Sequence, residues 1–315
     1  MRAVWLKEFG GPEVLVPGDA PDPVPGPGQA LVDVAYANIT FVETQVRSGG
    51  PSPFTPELPT IPGNGVGGVV AAVGEGADPG LAGLRVVTST GGSGGYAERV
   101  AVDASALFAV PDDLALDDAV ALLADGRTAT MMIRATAPRP GERVLVEAAA
   151  GGVGSLLVQL ARAAGATVVA AAGGSRKLGV ARDLGADEVV DYTAAGWGEG
   201  IPPVDVVLDG VGGDIARTAF GLLRRGGRMI SFGMASGQWA GIEQQAADAR
   251  GVTLLAPVRP TPQMMRECTE SALAEAAAGR LRPLIGQRFP LDRAADAHAV
   301  IESRAGVGKT LLQVG

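Results

Sequence analysis

Sulfur and imidazole are almost missing from this chain: of 315 residues one is cysteine, Cys268, and one is histidine, His298. A single cysteine excludes an intrachain disulfide and a multi-cysteine zinc site, and it fits a reducing compartment. Net positive charge is missing too. The 26 basic and 34 acidic residues leave a formal charge of −8, and no Lys/Arg run stands out. Nucleic acid and anionic membrane are thereby excluded as the main partner. No apolar run is long enough to span a bilayer, and the first residues, MRAVWLKEFGGPEV, carry charge and turn formers where a secretory leader would be apolar. The expectation is a soluble cytoplasmic protein. What the chain does hold is a 47% share of hydrophobic residues and 47 glycines, over a length that suits two domains of ordinary size.

The most informative stretch runs from Arg143 to Asp191. The apolar run Val144–Val146 reads as a buried parallel strand, a glycine turn follows, and Ser155 to Ala164 places Leu156, Leu157, Leu160 and Ala161 on one helical face, with Gly165 as the stop. Thr167 to Ala172 is a second apolar strand. Strand, turn, helix and strand make a βαβ unit, and Ala148, Ala149, Gly151, Gly152, Val153 and Gly154 form the turn where a dinucleotide pyrophosphate would meet the helix N-terminus. In so glycine-rich a chain the pattern alone is weak; its place between a strand and an amphipathic helix is what gives it weight.

Upstream, Met1–Leu6 reads as a strand and Pro17–Gly28 as an extended surface connection. Gln29–Tyr36 alternates as a half-buried strand, residues 38–47 form a short helical piece, and Pro51–Pro62 is a proline-rich loop. Short strands at Val66–Val73, Arg85–Thr88 and Tyr96–Val102 complete an irregular small β domain. Two helices are expected at Leu116–Ala124 and Arg127–Ala137. Six strands follow, around Val144, Val168, Val189, Val206, Met229 and Leu254, the number in a complete dinucleotide-binding sheet. The helices Gln263–Ala277 and Asp292–Ser303, the extended Leu284–Pro290 and the strand Lys309–Leu312 return to the first domain. The expected division is therefore 1–122 with 257–315 as a discontinuous first domain, and 123–256 as the nucleotide domain.

The end of the second strand chooses the dinucleotide. A carboxylate there accepts hydrogen bonds from the adenosine ribose hydroxyls, whereas small and basic residues admit a 2′-phosphate. Gly173, Gly174, Ser175, Arg176 and Lys177 stand in this position, with no acid before Asp183. Cations at a helix N-terminus also oppose the helix dipole, which calls for a compensating anion. These residues favour NADPH.

The motifs FGGPEVL at 9–15, PGPG at 25–28, TFVETQVRSG at 40–49, AxxGxxG at 148–154, LGADEVVDY at 184–192, DVVLDGVGG at 205–213, SFG at 231–233, AH at 297–298 and GKTLL at 308–312 together resemble the zinc-independent medium-chain dehydrogenases/reductases of the quinone oxidoreductase, or zeta-crystallin-like, group. The resemblance covers nearly the whole chain. It implies an α/β protein with a GroES-like β-rich catalytic domain and a Rossmann doubly wound parallel sheet. It also implies NADPH and a cleft where hydride passes to a quinone or another electron-poor double bond. By the same resemblance Gly151–Gly154 would hold the pyrophosphate. Gly173, Ser175, Arg176 and Lys177 would meet the 2′-phosphate end with Tyr192 beside it, and Phe232 and Gly233 would complete the cofactor contacts. Thr128, Phe41 and Thr44 would line the nicotinamide side.

Zinc-using relatives place Cys, His and Glu where this chain has Thr40, Asn64 and Gly65, so no metal ligand set is expected, and His298 and Cys268 are expected to be structural helix residues. Thr40, Thr44 and Thr128 are the candidate catalytic hydroxyls for a developing oxyanion, with water as a proton source. Two other readings stay open. One is an enoyl-thioester reductase of a biosynthetic pathway, whose acyl carrier would dock beside residues 48–62; the other is an NADPH-binding structural or regulatory protein with little turnover. A small-molecule substrate is expected, and a homodimer joined at the Val252–Leu255 edge strand.

Overall fold

The computed structural model describes residues 1–50 and 55–315. Residues 51–54 of the expected proline-rich loop lie outside the described set. The chain divides into two compact units, Met1–Ala124 with Leu273–Gly315, and Asp125–Ala272.

The first unit opens with β1 (Arg2–Leu6) and β2 (Leu15–Asp19), which pair antiparallel. β2 overlaps the stretch expected to be a plain connection: Pro17 and Gly18 sit in register opposite Val4 and Ala3. A proline is tolerated there because β2 pairs on one side only, so its missing N–H costs no ladder bond. β3 (Gln29–Ile39) is the central strand, its Ala30, Val32 and Val34 buried in alternation, and it leads into α1 (Phe41–Ser48). β4 (Gly65–Val73), β5 (Arg85–Ser89), β6 (Arg99–Asp103) and β7 (Phe108–Ala109) follow.

α2 (Leu116–Thr136) is one continuous helix where two were expected. Asp125 and Gly126 stand between the two expected spans, and a glycine inside a helix costs only about 1 kcal/mol. The burial of Val120, Leu122, Leu123, Ala129 and Met132 around it outweighs that, at about 1.5–3 kcal/mol for each large side chain.

In the second unit β8 (Arg143–Glu147), α3 (Gly152–Ala163), β9 (Thr167–Ala172), α4 (Ser175–Asp183), β10 (Glu188–Asp191), β11 (Val204–Asp209), α5 (Gly213–Gly221), β12 (Leu223–Ser231), α6 (Gln244–Arg250), β13 (Thr253–Leu254) and α7 (Pro262–Ala277) follow in order. The six strands form one sheet in the order β10-β9-β8-β11-β12-β13, every pairing parallel. Counted within the unit this is 3-2-1-4-5-6, the doubly wound order, and the direction of winding reverses between β8 and β11. Leu145, Val169, Val207 and Met229 fill its core with Ala216, Ala219 and Phe220 of α5.

The chain then supplies β14 (Ile285–Pro290), α8 (Ala294–Glu302) and β15 (Lys309–Gln313) to the first unit, whose seven-stranded sheet runs β14-β15-β3-β4-β5-β7 with β6 on β3. Its core holds Val4, Leu6, Val32, Val66, Val86, Tyr96 and Leu312. No helix of the described residues is long and apolar enough to cross a membrane.

Candidate functional site

The glycine turn is built by close approach. From β8 the chain turns at Ala148, whose φ of 48° is rare for a residue with a side chain, and the Gly151 amide closes the turn on the Ala148 carbonyl at 2.7 Å. α3 starts at Gly152, a turn earlier than the sequence pattern places it, so Gly152, Val153 and Gly154 form its first turn. A Cβ on Gly154 would stand 2.2 Å from the Ala148 carbonyl oxygen, and one on Gly152 would stand 1.9 Å from Oδ2 of Asp125. The helix is thus pressed against the turn at a distance that only glycine allows. No side chain caps α3 at Gly151, which leaves its first amides directed at whatever lies beyond the helix end. Ala149 is buried beneath them.

At the end of β9, Gly173 lies against Tyr192 and Thr193; its Cβ would be 3.4 Å from Tyr192 Cε2 and 3.0 Å from Thr193 Cγ2. Gly174, with φ 83°, caps α4, and Ser175 and Arg176 are exposed on its first turn with Lys177 half-buried behind them. One acid was not anticipated here. Asp191, at the end of β10, accepts from the Gly174 amide at 3.2 Å and from Thr193 N and Oγ1 at 2.9 and 2.6 Å, bonds that hold its carboxyl below the usual range. Its parallel pairing with Ala172 is the signal that would have found it. The carboxylate is occupied with stiffening the turn.

Two further acids sit where the sheet reverses its winding. Glu147 ends β8 and Asp209 ends β11, both with 0% exposure. Asp209 Oδ1 accepts from Val211 N at 2.9 Å and Gly212 N at 2.7 Å, and Oδ2 accepts from Ser231 Oγ at 2.6 Å. Glu147 Oε2 has a longer share of the same Val211 amide, 3.3 Å, and its Oε1 has no partner. Burial and the Asp209 charge push the Glu147 carboxyl well up. Phe232 and Gly233 follow β12 and pack on the Gly210 turn: the Phe232 amide donates to the Asp209 carbonyl at 2.9 Å, and a Cβ on Gly233 would be 2.6 Å from the Gly210 carbonyl. Both carboxyls were overlooked in the sequence, being the polar ends of apolar strands. Thr128 lies half-buried on α2 in the same unit.

In the first unit Thr40 caps α1 and is half-buried. Its amide and its hydroxyl both donate to Glu43 Oε2, at 2.5 and 2.9 Å, and Glu43 Oε1 accepts from the Asn64 amide at 3.0 Å. Burial nevertheless raises the Glu43 pKa, against those bonds and the nearby charge of Lys309. Thr44 is fully buried and donates to the Phe41 carbonyl at 2.7 Å, so its hydroxyl serves the helix; Phe41 itself is half-buried. Behind Glu43, Tyr96 Oη meets His298 Nε2 at 2.9 Å with the rings edge-on, while Arg47 pairs with Glu302 and donates to the Gly10 carbonyl. His298, on α8, is depressed to about 3 by burial and by the Arg47 charge. Cys268, on α7, is buried against Arg134.

A catalytic zinc requires about three N, S or O ligands. At positions 40, 64 and 65 stand a threonine, an asparagine and a glycine, and the Thr40 hydroxyl and the backbone amide of Asn64 both donate to one carboxyl, that of Glu43. Among the described residues no group of three or more His, Cys, Asp or Glu can hold a metal. The donor set does not fit zinc. The glycine turn and the α4 head do fit a phosphorylated dinucleotide, because bare helix amides and cations are the groups that bind phosphate oxygens.

Residues 26–112 match the alcohol dehydrogenase GroES-like domain family, and residues 184–312 match the family described as zinc-binding dehydrogenase. The quinone oxidoreductase of Homo sapiens is 32% identical over 328 residues, covering 99% of this chain and 97% of that protein. The Escherichia coli quinone oxidoreductase, solved in complex with NADPH, superposes with a TM-score of 0.90 at 30% identity, over 99% of this chain and 100% of that one. A structure described as an NAD-dependent alcohol dehydrogenase superposes with a TM-score of 0.88 at 33% identity, over 100% of both chains.

Proposed function

Because this chain belongs to the quinone oxidoreductase family of medium-chain dehydrogenases/reductases, we propose that this NADPH-dependent oxidoreductase delivers hydride to a quinone or an α,β-unsaturated carbonyl, and does so without zinc. The observation that carries the reading is the donor set at positions 40, 64 and 65, which offers neither metal ligands nor a free acid to polarise an unactivated carbonyl. Quinones and enones need no such help, since they are electrophilic before they bind. Their demand on the protein is orientation, exclusion of water and hydrogen bonds to the oxygen on which charge develops.

When bound, NADPH supplies the hydride. The α3 amides from Gly152 onward hold its pyrophosphate, Arg176 and Lys177 with Ser175 and Gly173 take the 2′-phosphate, and Tyr192 flanks them. In the same unit Phe232, Gly233 and Thr128 complete the nicotinamide end. Of the candidate hydroxyls, Thr44 is committed to the Phe41 carbonyl, whereas that of Thr40 is held by a group that can itself take up a proton, Glu43. Protonation of Glu43, which its burial favours, reverses the bond to Thr40: Glu43 then donates, and the Thr40 proton is turned toward an acceptor oxygen.

NADPH oxidation measured against a panel of quinones, enals, enones and enoyl thioesters tests the proposal. Turnover is expected on quinones or enones, and it survives exhaustive chelation of zinc. Turnover confined to enoyl thioesters, or lost on chelation and restored by zinc, overturns it.

A further inference from the structure

The pair of acids at the reversal of the nucleotide sheet has no part in the reading above. β8 and β11 are paired through Val144–Val206, Leu145–Val207 and Val146–Leu208, so the next residue of each strand, Glu147 and Asp209, stands at the C-terminal edge where the crevice of a doubly wound sheet opens. Each strand ends in a glycine turn. Glu147 leads through the strained Ala148 into Gly151–Gly154, and Asp209 leads into Gly210–Gly213, on which Phe232 and Gly233 pack.

We propose that Glu147 holds a proton that it donates to Asp209, and that this pair, bearing one negative charge, fastens together the two glycine turns on either side of the NADPH crevice. Three observations carry it. Asp209 has three donors for its two oxygens, whereas Glu147 Oε1 is wholly buried and unpartnered, an arrangement that suits a carboxylic acid and not a second carboxylate. Two like charges buried side by side cannot both persist without a cation. Among the described residues neither acid forms an ion pair: Asp209 on β11 is the charge acting on Glu147, while on α2 a further acid, Asp125, approaches Gly152 and feels the charge of Arg127. Desolvation and the Asp209 charge accordingly drive the Glu147 carboxyl upward. Glu147 is a positioning residue. It touches no phosphate; it sets the separation of the Gly151–Gly154 and Gly210–Gly213 turns.

The sign of the pH effect follows from proton counting. Glu147 binds its proton in the folded state and loses it on unfolding, so it lowers stability as pH rises from the ordinary carboxyl range to its own raised pKa. The test uses Glu147→Gln, which keeps a donor and cannot ionise, and Glu147→Leu, which removes the donor. In the NADPH-free protein at pH 7, the infrared difference between wild type and Glu147→Gln should contain the carbonyl stretch of a buried protonated carboxylic acid. Above the ordinary carboxyl range, and up to its own raised pKa, the wild-type unfolding constant should rise with pH relative to that of Glu147→Gln, by up to about tenfold per pH unit. Titrated by NADPH fluorescence at pH 7, Glu147→Gln should bind within about twofold of wild type and Glu147→Leu at least about tenfold more weakly, some 1.4 kcal/mol. Absence of the band, equal pH slopes, or Gln as weak as Leu overturns the proposal. If the leucine variant fails to fold, the band and the slopes still decide.

Discussion

At the scale of single residues, the head of α4 makes the most direct demand. Arg176 and Lys177 stand on the first turn of a helix whose dipole disfavours cations, a conflict that the proposed 2′-phosphate would offset. Arg176→Ala and Lys177→Ala should each raise the Michaelis constant for NADPH roughly tenfold or more, the loss of a charge-assisted hydrogen bond worth about 1.5–3 kcal/mol, and leave that for NADH within about twofold. Equal effects on both cofactors would remove the 2′-phosphate assignment. Gly154 makes a steric demand. With the Ala148 carbonyl oxygen 2.2 Å from the position of a Cβ, Gly154→Ala must push α3 off the turn. It should cost about 1–3 kcal/mol in thermal or urea unfolding and weaken NADPH binding at least about tenfold. The residue types at these places were legible because glycine and charge carry their meaning locally. The direction of a hydroxyl was not: Thr40 and Thr44 have the same chemistry, and only the positions of Glu43 and the Phe41 carbonyl, set by tertiary packing, show which acceptor each one serves.

At the scale of elements, the alternating strands and helices after Arg143 could be read from the sequence because each buried strand is a short run of apolar residues and each helix shows one apolar face. The exceptions share a cause. β2 contains Pro17 and Gly18, which break most strands, though not one at an edge; α2 runs unbroken through Gly126, between the two expected spans; α3 begins in glycines that read as a turn. In each case a local propensity of about 1 kcal/mol lost to burial or pairing that no window of sequence contains. The acids at strand ends escaped for the complementary reason. Glu147 and Asp209 stand a whole α-β-α-β stretch apart in the chain and become neighbours only through the parallel order of the sheet. Asp191 was missed in the same way, since its relation to Gly174 is a register, not a spacing.

At the scale of the molecule, two depressed pKa values work in the same direction. His298, lowered to about 3, stays neutral in the folded state while an unfolded histidine takes up a proton below about 6.5. Its share of stability is complete above that value and is lost as pH falls toward 3, a loss on the order of 4 kcal/mol. Glu142, held near 2 by Arg228 and the Arg139 amide, adds stability above the ordinary carboxyl range that is lost as pH falls to about 2. Urea unfolding of His298→Gln between pH 7 and 4 should therefore show a shallower acid decline than wild type; parallel curves would contradict the burial of a neutral imidazole. Assembly is a further expectation. Among the described residues β13 pairs with β12 alone and ends its sheet as an open edge, so we expect two copies to pair there, and light scattering should give twice the mass of 31.7 kDa. A monomer would exclude that pairing. The sole thiol of the chain has a practical consequence. Cys268 is completely covered by α7 and its neighbours, so the native protein is silent toward a thiol reagent and unfolding releases one equivalent. A cysteine substituted for exposed Asp183, at the far end of α4, would then be the one attachment point for a fluorophore, and its emission would report nucleotide arrival without removal of the native thiol.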